Sequence, residues 1–390
     1  MNNFVKHTIV VLGSLIGTAV LTVGGYVGYV FVSYNRIGDK ELTVDKGSSK
    51  NYASTEVTYK AISYNIGFGA YSQDYTFFMD TGYDANGNPT KGAYGKAKSK
   101  EEVEFNISGA ISSTKALNPD FVFFQEVDTD STRSFFMNQD KMIQGAFNDF
   151  DHVHCSNYHS AFFPYPVHDM IGCSNSGLTT LSKFKVSEAG RKELTVSSGI
   201  DKYLDLDRCF SYSKVNVTNS KPLYLVNVHM STYDEGGKVR AKQMDELNAF
   251  LTERSKNGDH VVIGGDWDHD LLTYNPEFNY NANNKPFAKD YPGVKNKTPD
   301  WVAYLYSQTG MSPLNLGYRV VASDDYPSCR NDDIEYDPGK TFVCTIDGFV
   351  VSSNVNIISH STIQTKNGNK GVDGFAFSDH EPVQLEFQLV

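Results

Sequence analysis

A dense group of acidic side chains follows the apolar run at residues 261–263. Residues 266–270 read Asp-Trp-Asp-His-Asp, so three carboxylates and one imidazole lie within five consecutive residues. These groups repel one another unless something cationic, most simply a divalent metal ion, lies among them. An acidic turn in contact with solvent is the alternative interpretation. The apolar run predicts a buried strand, and Gly264 and Gly265 are expected to end it by letting the backbone turn.

Glu126 is a second position at which the sequence requires a cation. It lies within residues 121–128, Phe-Val-Phe-Phe-Gln-Glu-Val-Asp, a run that predicts a buried strand. A charge inside such a strand is costly unless it is paired or bound to a metal ion. Glu126 is therefore predicted either to bind a metal ion or to form a salt bridge with an Arg or Lys.

Further polar side chains stand at the ends of other predicted strands, namely Asn65, His229, Asp347, and Asp379 with His380. Catalytic groups of layered α/β proteins come from strand ends and the adjoining loops, so these positions are expected to converge on one site. Arg208 is either a phosphate-binding side chain or an ordinary ion-pair partner of Asp205 or Asp207. Asn65 taken alone is more typical of a turn residue than of a ligand.

The elements that must position these side chains are predicted from hydrophobic periodicity and breakers. Helices are expected over 101–117, 238–253 and about 301–308, and long loops over 71–100 and 274–298. Strands are expected over 57–67, 121–128, 174–182, 184–200, 213–217, 223–229, 261–263, 341–351 and 383–389.

The amino-terminal segment differs from the rest of the chain. Residues 8–33 contain no charged side chain, and the run is long enough to cross a bilayer as a helix. A cleaved signal peptide is the alternative, but its apolar core is normally shorter, so an uncleaved signal-anchor is predicted. The expected organisation is a transmembrane segment over 1–34, a linker over 35–56 and a catalytic domain over 57–390. The domain is expected to face outward, giving a single-pass membrane protein with an extracellular catalytic domain.

The net charge and the cysteine spacing limit the binding partners and metal or redox motifs that can be expected. The formal net charge of −11 argues against a general nucleic-acid binder, because affinity for a polyphosphate backbone comes mostly from Lys and Arg. The five cysteines form no Cys-Xaa-Xaa-Cys pair, which excludes zinc-ribbon and thioredoxin-like motifs. Cys155 with Cys173, or Cys329 with Cys344, could form a bridge in an oxidising compartment.

Together these motifs resemble those of the endonuclease/exonuclease/phosphatase superfamily, which contains pancreatic-type deoxyribonucleases, apurinic endonucleases, sphingomyelinases and inositol-polyphosphate phosphatases. The resemblance covers about residues 57–390. It rests on six motifs in the family's order: Ser-Tyr-Asn65, Gln-Glu126, Asn-Val-His229, Gly-Gly-Asp266, Ile-Asp347-Gly and Ser-Asp379-His380. It implies an α/β fold, a four-layer sandwich of two packed mixed β-sheets flanked by helices, here preceded by the transmembrane helix.

The resemblance also implies a metal site. Glu126 would be the principal ligand of Mg²⁺, with Mn²⁺ or Ca²⁺ as alternatives. Asn65, Asp379 and Asp266 would complete the site.

The remaining matched residues take catalytic roles by the same resemblance. His380, oriented by Asp347, would serve in acid–base chemistry and charge stabilisation, while Asp266 would orient or deprotonate the attacking water. His229 would contact the phosphoryl oxygens. Arg208 resembles a phosphate-contacting position of the family, and Asn65 would lie beside the same phosphate.

One residue departs from the family pattern. The motif is Gly-Asp-Xaa-Asn, whereas this chain has Asp268 at the last position. An amide can donate a hydrogen bond to a phosphate oxygen, and an ionised carboxylate cannot. Asp268 is therefore expected either to slow the enzyme or to recruit a second cation.

The function favoured by these observations is a membrane-anchored, divalent-metal-dependent phosphoesterase. It would hydrolyse a phosphomonoester or phosphodiester by in-line attack of a water activated by the metal ion and Asp266. A DNA or RNA nuclease, a sphingomyelinase-like phospholipid hydrolase, and a catalytically weak surface protein that binds a ligand remain as alternatives. The substrate class is a phosphoester of a small molecule, lipid or nucleic acid, the membrane is a partner through the helix, and no protein partner is inferred.

Overall fold

A computed structural model describes residues 3–48, 51–84, 86–203, 205–231, 238–269, 271–272, 317–338 and 340–390. The α-helices in this part of the chain are α1 (Asn3–Ser33), α2 (Lys100–Ala116), α3 (Gln139–Ala146) and α4 (Lys238–Asn257). Short 3₁₀ turns cover Gly67–Gly69, Thr132–Ser134 and Ile200–Tyr203. The predicted helices over 101–117 and 238–253 are confirmed, whereas the loop over 274–298 and the helix near 301–308 lie outside the described residues.

Two large mixed sheets form the centre of the described fold. The first has the order β1 (Lys40–Glu41), β8 (Val186–Glu193), β9 (Cys209–Val215), β10 (Leu223–His229), β11 (His260–Asp266), β15 (Asp347–Val351), β12 (Arg319–Val321). The second has the order β16 (Val355–Thr362), β17 (Val383–Leu389), β2 (Thr58–Asn65), β5 (Phe121–Asp128), β7 (Asn175–Ser182), β6 (Asp151–His159). Two hairpin-like pairs accompany them: β3 (Thr81–Tyr83) with β4 (Pro89–Lys91), and β13 (Cys329–Arg330) with β14 (Val343–Cys344).

The alternation of side chains along each central strand creates the layers. Phe121 and Phe123 of β5 point into the core between the two sheets, where Leu225 of β10 also lies. Val122 and Phe124, the intervening residues, pack beneath α2 and α3. Since both faces of such a strand are buried, it reads as a continuous apolar run rather than an alternating one.

The opposite sheet is built in the same way, with β10 and β11 covered by α4. Val226 and Ile263 face Leu247 and Leu251 of the helix, in a cluster separate from the inter-sheet core. The result is helix, sheet, sheet, helix, the four-layer α/β sandwich that the motifs predict.

Strand register brings the polar strand ends to one edge of the sandwich. The strands β2 and β5 run parallel, as do β10 and β11, so the carboxyl ends of each pair lie together. His229 is the register partner of Asp266, and Asp266 is in turn the partner of Asp347 on the antiparallel β15. Asp379 and His380 immediately precede β17, which pairs with β2 from Val383 opposite Ser63.

Segment 35–56 differs from the predicted linker. Lys40 and Glu41 form β1 on the edge of the first sheet, paired with β8. Leu42 and Val44 pack against the inter-sheet core, and Ala53 is fully buried. Most of this segment is therefore part of the domain, because its scattered apolar residues, although embedded in a polar sequence, fill the open end of the sandwich.

The glycines before Asp266 also act differently from the prediction. Gly264 and Gly265 lie inside β11, which continues through Asp266. A Cβ atom at Gly264 would lie 2.7 Å from Phe123 of the facing sheet, and one at Gly265 would lie 2.2 Å from the carbonyl oxygen of Val228. They are therefore required for close packing of neighbouring backbone and side chains rather than for ending the strand.

The five cysteines are free thiols. Cys329 and Cys344 are register partners of β13 and β14, consistent with the pairing suggested by their spacing. The Sγ atom of Cys155 lies 3.6 Å from that of Cys209. The spacing along the chain predicts Cys173 as the neighbour of Cys155 instead. It could not indicate Cys209, because the contact between β6 and β9 depends on how the two sheets pack.

Candidate active site

Asn65 and Glu126 come from the two parallel strands of the second sheet. A β-bulge interrupts the pairing of β5 with β7 between Phe124 and Val127, and Glu126 has a left-handed backbone with φ of 54°. The bulge turns Glu126 toward the strand end, where its Oε1 accepts a hydrogen bond from Asn65 Nδ2 at 3.2 Å. Among the described residues, no Lys or Arg lies within ion-pair distance of the Glu126 carboxylate, so the salt-bridge alternative for this residue fails there.

Asn65 acts both as a turn residue and as a link within the site. Its Oδ1 accepts from the backbone N–H of Gly67 at 3.0 Å, which fixes the amide. Its Nδ2 donates at 2.8 Å to Asp266 Oδ2 in addition to the bond to Glu126. The amide therefore joins a carboxylate of one sheet to a carboxylate of the other.

A buried amide pair fastens the sheets below the site. Gln125 Nε2 donates to Asn227 Oδ1 at 2.8 Å across the interface. Asn227 Nδ2 in turn donates to the carbonyl oxygens of Phe124 and Thr179 at 3.2 Å each. Gln125 immediately precedes Glu126, and Asn227 closely precedes His229. The amide pair therefore holds the two functional strand ends at a fixed separation.

Asp266 lies at the centre of the cluster. Its Oδ2 is 3.6 Å from His380 Nε2 and 3.9 Å from His229 Nε2, and its Oδ1 accepts from the backbone N–H of Asp268 at 2.9 Å. Burial and the neighbouring Asp268 carboxylate raise the pKa of Asp266 to about 7, although His380 opposes the shift. A carboxylate with this pKa can exchange a proton near neutral pH.

His380 is held by a hydrogen-bonded chain on one side of Asp266. Its Nδ1 lies 2.7 Å from Asp347 Oδ2, which also accepts from the hydroxyl of Ser328 at 2.7 Å. Burial lowers the pKa of His380, but the carboxylates of Asp347, Asp379 and Asp266 raise it by more than burial lowers it. The pKa of His380 therefore lies well above its ordinary value. His380 is therefore an imidazolium at neutral pH, with its Nε2 directed toward Asp266.

His229 stands on the other side of Asp266 with Asp268 and Arg208. Asp268 Oδ2 lies 3.3 Å from His229 Nε2 and 3.8 Å from Arg208 Nη1. Burial and Arg208 lower the pKa of His229, while a hydrogen bond to Asp268 and the charge of Asp266 raise it, and the net shift is upward. Asp268 thus makes His229 a cation at a pH where an isolated imidazole is losing its proton.

Arg208 forms an ion pair and also lies in the cavity wall. It is buried, its Nη2 lies 3.5 Å from Asp205 Oδ1, and its Nη1 donates to the backbone carbonyls of His229 and Met230. Asp207 pairs instead with Arg36, at 2.7 Å, and with Arg191. Arg208 also lines the cavity described below, so its guanidinium can reach a ligand there.

Asp379 is placed by its neighbour Ser378. The Ser378 hydroxyl donates to the Asn65 carbonyl oxygen at 2.8 Å, which ties the segment before β17 to the end of β2. The oxygen of the same hydroxyl lies 3.1 Å from Asp379 Oδ1, and Asp379 Oδ2 lies 3.8 Å from His380 Nε2. Asp379 therefore completes the acidic face that Asn65 and Glu126 begin.

Two sets of ionisable ligand atoms within the described residues could hold a cation. Asp266 with His229 and Asp268 forms one, and Asp266 with Asp347 and His380 forms the other, each with all atoms within 4.8 Å of one another. Glu126 and Asp379 lie outside both sets, although they line the same cavity. Asn65 connects Glu126 to Asp266. The predicted carboxylate ligands therefore line one cavity, but their oxygen atoms do not all lie close to one another.

The rest of the acidic segment contributes less than its composition suggests. His269 is fully buried, and burial together with Arg240 lowers its pKa to about 3, so it is a neutral core residue. Asp270 lies outside the described residues. Only Asp266 and Asp268 of residues 266–269 face the site.

Several residues of the site have no sequence motif of their own. Ser328 holds Asp347, and Arg330 forms an ion pair with Asp332 beside the cavity. Arg133 pairs with Asp128 at 2.8 Å and lies 3.8 Å above the Phe68 ring. The Ser in Ser-Asp379-His380 was a clue to Ser378; nothing in the local sequence indicated the others.

One cavity of about 400 Å³ contains the cluster. Its polar wall includes Glu126, Asp266 and His380. Its apolar wall is formed by Phe68, Tyr71, Phe77, Met79, Tyr158 and Ile171. A ligand placed there would meet the charged cluster with one end and an aromatic and aliphatic surface with the other.

Comparison with known proteins places the chain in a family. The sequence profile of the Endonuclease/Exonuclease/phosphatase family matches residues 62–380, so the chain belongs to this family. A search among curated proteins found no match.

Solved structures agree on the fold. A family protein from Bacteroides thetaiotaomicron superimposes with a TM-score of 0.52 and 14% identity, covering 86% of this chain and 97% of its own. ANGEL2, a 2',3'-cyclic phosphatase solved with adenosine-2',3'-vanadate, gives a TM-score of 0.51 and 13% identity, covering 90% of this chain and 99% of its own. A family protein from Leptotrichia buccalis gives 0.50 and 12%, with 85% and 100% covered.

Proposed function

We propose that the chain is a membrane-anchored, divalent-metal-dependent phosphoesterase that hydrolyses a phosphomonoester or phosphodiester by in-line attack of water. Family membership supplies the reaction class. The observation that carries the proposal is the convergence of the polar strand ends on Asp266. Four of them, Glu126, His229, Asp266 and Asp379 with His380, line one cavity.

The carboxylate oxygens fit a hard divalent cation. Glu126, Asp266 and Asp379 offer carboxylates that line the cavity. Asn65 positions the first two through its Nδ2, while its Oδ1 accepts from Gly67, so we infer that it would bind the cation only with its amide turned over. The raised pKa of Asp266 reflects burial and repulsion from the Asp268 carboxylate, which a cation would relieve. When bound, Mg²⁺ or a similar ion would offset charge on the phosphoryl oxygens and lower the pKa of water.

Asp266 and His380 are assigned to proton transfer. With a pKa of about 7, Asp266 can orient the attacking water and take its proton near neutral pH. His380 carries its proton on the side facing Asp266, and Asp347 fixes the ring at 2.7 Å. The imidazolium can therefore stabilise negative charge that develops on the phosphoryl group.

His229 and Arg208 are assigned to the phosphoryl oxygens. Both are buried and line the cavity, Arg208 carries a positive charge, and Asp268 raises the pKa of His229 and so favours its protonated form. Asp268 lies between them and would compete with the substrate for the two cations. We infer that Asp268 weakens substrate binding without removing the hydrolytic groups.

The anchor is assigned to α1. This helix has 31 residues, none of which is buried against the domain, and it is long and apolar enough to cross a membrane. We infer that the chain is a single-pass membrane protein with an outward-facing catalytic domain over residues 57–390, which the packed segment 35–56 extends.

Full-length protein in detergent, assayed with magnesium and with EDTA, tests the proposal. Substrates are single-stranded DNA, duplex DNA, sphingomyelin and small phosphomonoesters. Magnesium-dependent release of product from any of them is expected, and the substrate that reacts identifies the class. Magnesium binding without turnover of any phosphoester would instead favour the weak binding protein. A truncated form beginning at residue 51 is unsuitable, because it would remove β1.

A further inference from the structure

The end of α1 is attached to two loops that border the cavity. Tyr26 donates its hydroxyl proton to the carbonyl oxygen of Phe162 at 3.0 Å, and the Phe162 N–H donates to the Tyr29 hydroxyl at 2.9 Å. On the other loop, the Tyr203 ring lies 4.7 Å from Phe31 and 4.8 Å from Tyr34. The helix therefore has a fixed position relative to the opening of the site.

The connection after the helix is short and anchored as well. Arg36 lies 2.7 Å from Asp207, and Asp207 also accepts from the backbone N–H of Ile37 at 2.8 Å. Only six residues separate Ser33 from β1 at Lys40. The domain is therefore held against the end of the helix rather than suspended from a free linker.

The depth of these contacts follows from helix geometry. At 1.5 Å per residue, Tyr26 and Tyr29 lie roughly 10 Å and 6 Å before the end of α1 at Ser33. A hydrocarbon core of about 30 Å needs only about 20 of the uncharged residues, so these tyrosines fall at the boundary between lipid tails and headgroups. Phe162, bonded to both of them, lies at the same depth.

The segment around Phe162 has an apolar exposed surface. Phe162, Tyr165, Val167 and Met170 are 38%, 46%, 74% and 37% exposed, and Met79 beside them is 46% exposed. We call these five residues the apolar rim. Phe78 joins its two parts, since its ring lies 5.4 Å from that of Tyr165.

The charged side chain of this segment is compensated within the protein. Asp169 accepts from the backbone N–H of Gly95 at 2.8 Å and lies 3.6 Å from Lys96 Nζ. The segment can therefore approach lipid without carrying an unpaired carboxylate, which would be costly there.

The cavity opens beside the apolar rim. Met79 belongs both to the rim and to the cavity wall, and Ile171 and Tyr158 line the cavity immediately next to the Phe162 segment. Ser197, Asp205 and Leu206, from the loop that contains Tyr203, also line the cavity. Both loops that touch α1 therefore also border the cavity.

We propose that the apolar rim rests on the bilayer that α1 spans, so that the cavity receives a phosphoester carried by a lipid of that membrane. The bilayer is the occupant because the rim is continuous with the spanning helix and lies at the depth of its tyrosines. The chemical class of the substrate rests on the proposed phosphoesterase activity, and the contact of the rim with lipid rests on the proposed anchor α1 alone. A lipid headgroup would enter past Met79 toward Glu126 and Asp266, leaving its acyl chains in the membrane.

Contact with lipid is tested by tryptophan fluorescence of full-length protein in vesicles whose phosphatidylcholine carries brominated acyl chains. Val167→Trp is the probe. Val57→Trp is the matched control, since Val57 is 45% exposed and precedes β2, roughly 26 Å along the strand from Asn65. We expect brominated lipid to quench the added emission of Val167→Trp at least about twofold more than that of Val57→Trp.

Equal quenching of the two variants would overturn the proposal. A blue-shifted Val167→Trp emission without bromine quenching, together with a dimer in cross-linking, would also overturn it. In that case the apolar rim would be a contact between two copies of the chain.

Substrate delivery is tested with Val167→Asp. We expect about tenfold slower hydrolysis of a phospholipid presented in vesicles, and less than about twofold change on a monomeric short-chain phospholipid with the same headgroup. Equal loss on both substrates would contradict delivery from the membrane. If unmodified protein hydrolysed neither substrate with magnesium, the proposed phosphoesterase function would fail for lipids, and the quenching result would still decide whether the rim contacts the bilayer.

Discussion

The two histidines of the site lie on opposite sides of Asp266 and are held in different ways. The Nδ1 atom of His380 is bonded to Asp347, which also accepts a hydrogen bond from Ser328, so the imidazole is oriented by groups that do not line the cavity. His229 has Asp268 as its partner at 3.3 Å, and that carboxylate faces the cavity. The first pair follows the family pattern, whereas the second contains the departure from it.

The difference shows how a family site can accept an acidic residue in place of an amide. With Asn at position 268, the pKa of His229 would lose its main upward contribution. The positive charge on this side of Asp266 would then come from Arg208. With Asp268, the added negative charge raises the pKa of His229 and so favours its protonated form. Asp268 therefore offsets part of its own charge through His229, although it also competes with the phosphate for the cations.

The largest expected effect is on the His380 side. His380→Ala removes the imidazolium that faces Asp266 and should lower kcat about 1,000-fold. The matched control is His360→Ala, on an exposed position of β16, which should retain full activity. Steady-state kinetics with the substrate that the panel identifies would measure both. If the His380 variant kept a tenth of the activity, His380 would not be a catalytic residue.

The next effect concerns the metal side. Glu126→Gln keeps the shape of the side chain but removes its charge, so we expect about 100-fold lower activity at limiting magnesium and partial recovery at high magnesium or with manganese. Glu104→Gln, an exposed change on α2, is the control. Titration of activity against metal concentration distinguishes the two. An unchanged magnesium requirement would contradict the assignment of Glu126 as a ligand.

The charged and titratable groups at the strand ends could be predicted from the sequence on both sides of the site. Glu126, His229, Asp266 and His380 were predictable because a charged or titratable group at the end of an apolar strand has few stable environments, and the ordered motifs then defined the family. Their convergence followed from strand ends meeting at one edge of a layered fold.

What could not be predicted depends on contacts between distant segments. Whether Asp268 faces His229 or solvent is decided by its left-handed backbone, with φ of 53°, and by the bond from its N–H to Asp266. The support from Ser328 comes from a segment 19 residues before Asp347 that has no motif. The packing of segment 35–56 against the core was hidden by its polar composition.

A smaller effect is expected at Asp268 itself. Asp268→Asn removes the carboxylate that competes with substrate for His229 and Arg208, so we expect KM to fall about fivefold at mildly acidic pH, equivalent to about 1 kcal/mol. The same change lowers the pKa of His229, so the gain should shrink as the pH rises and His229 loses its proton. KM measured against pH, beside the exposed Asp130→Asn control, tests this. A gain that is constant with pH would mean that Asp268 does not control the protonation of His229.

The last effect concerns stability rather than catalysis and involves Asp266, the residue that the two sides share. Asp266 has a pKa of about 7 in the folded protein and an ordinary, lower value when unfolded. Between these values the folded state binds more protons, so without metal its stability falls as the pH rises. We expect the free energy of unfolding in EDTA to drop by about 2 kcal/mol from about pH 5 to pH 7.

Urea unfolding in detergent measures this dependence. Asp266→Asn should flatten it, while the exposed Asp245→Asn should leave it unchanged. Saturating magnesium should reduce the slope, because the cation would favour the ionised carboxylate in the folded state. If magnesium left the slope intact while Glu126→Gln still altered the metal requirement, the cation would bind near Glu126 and Asp379 and not at Asp266. The metal side and the histidine pairs would then be separate halves of the site rather than groups joined through one carboxylate.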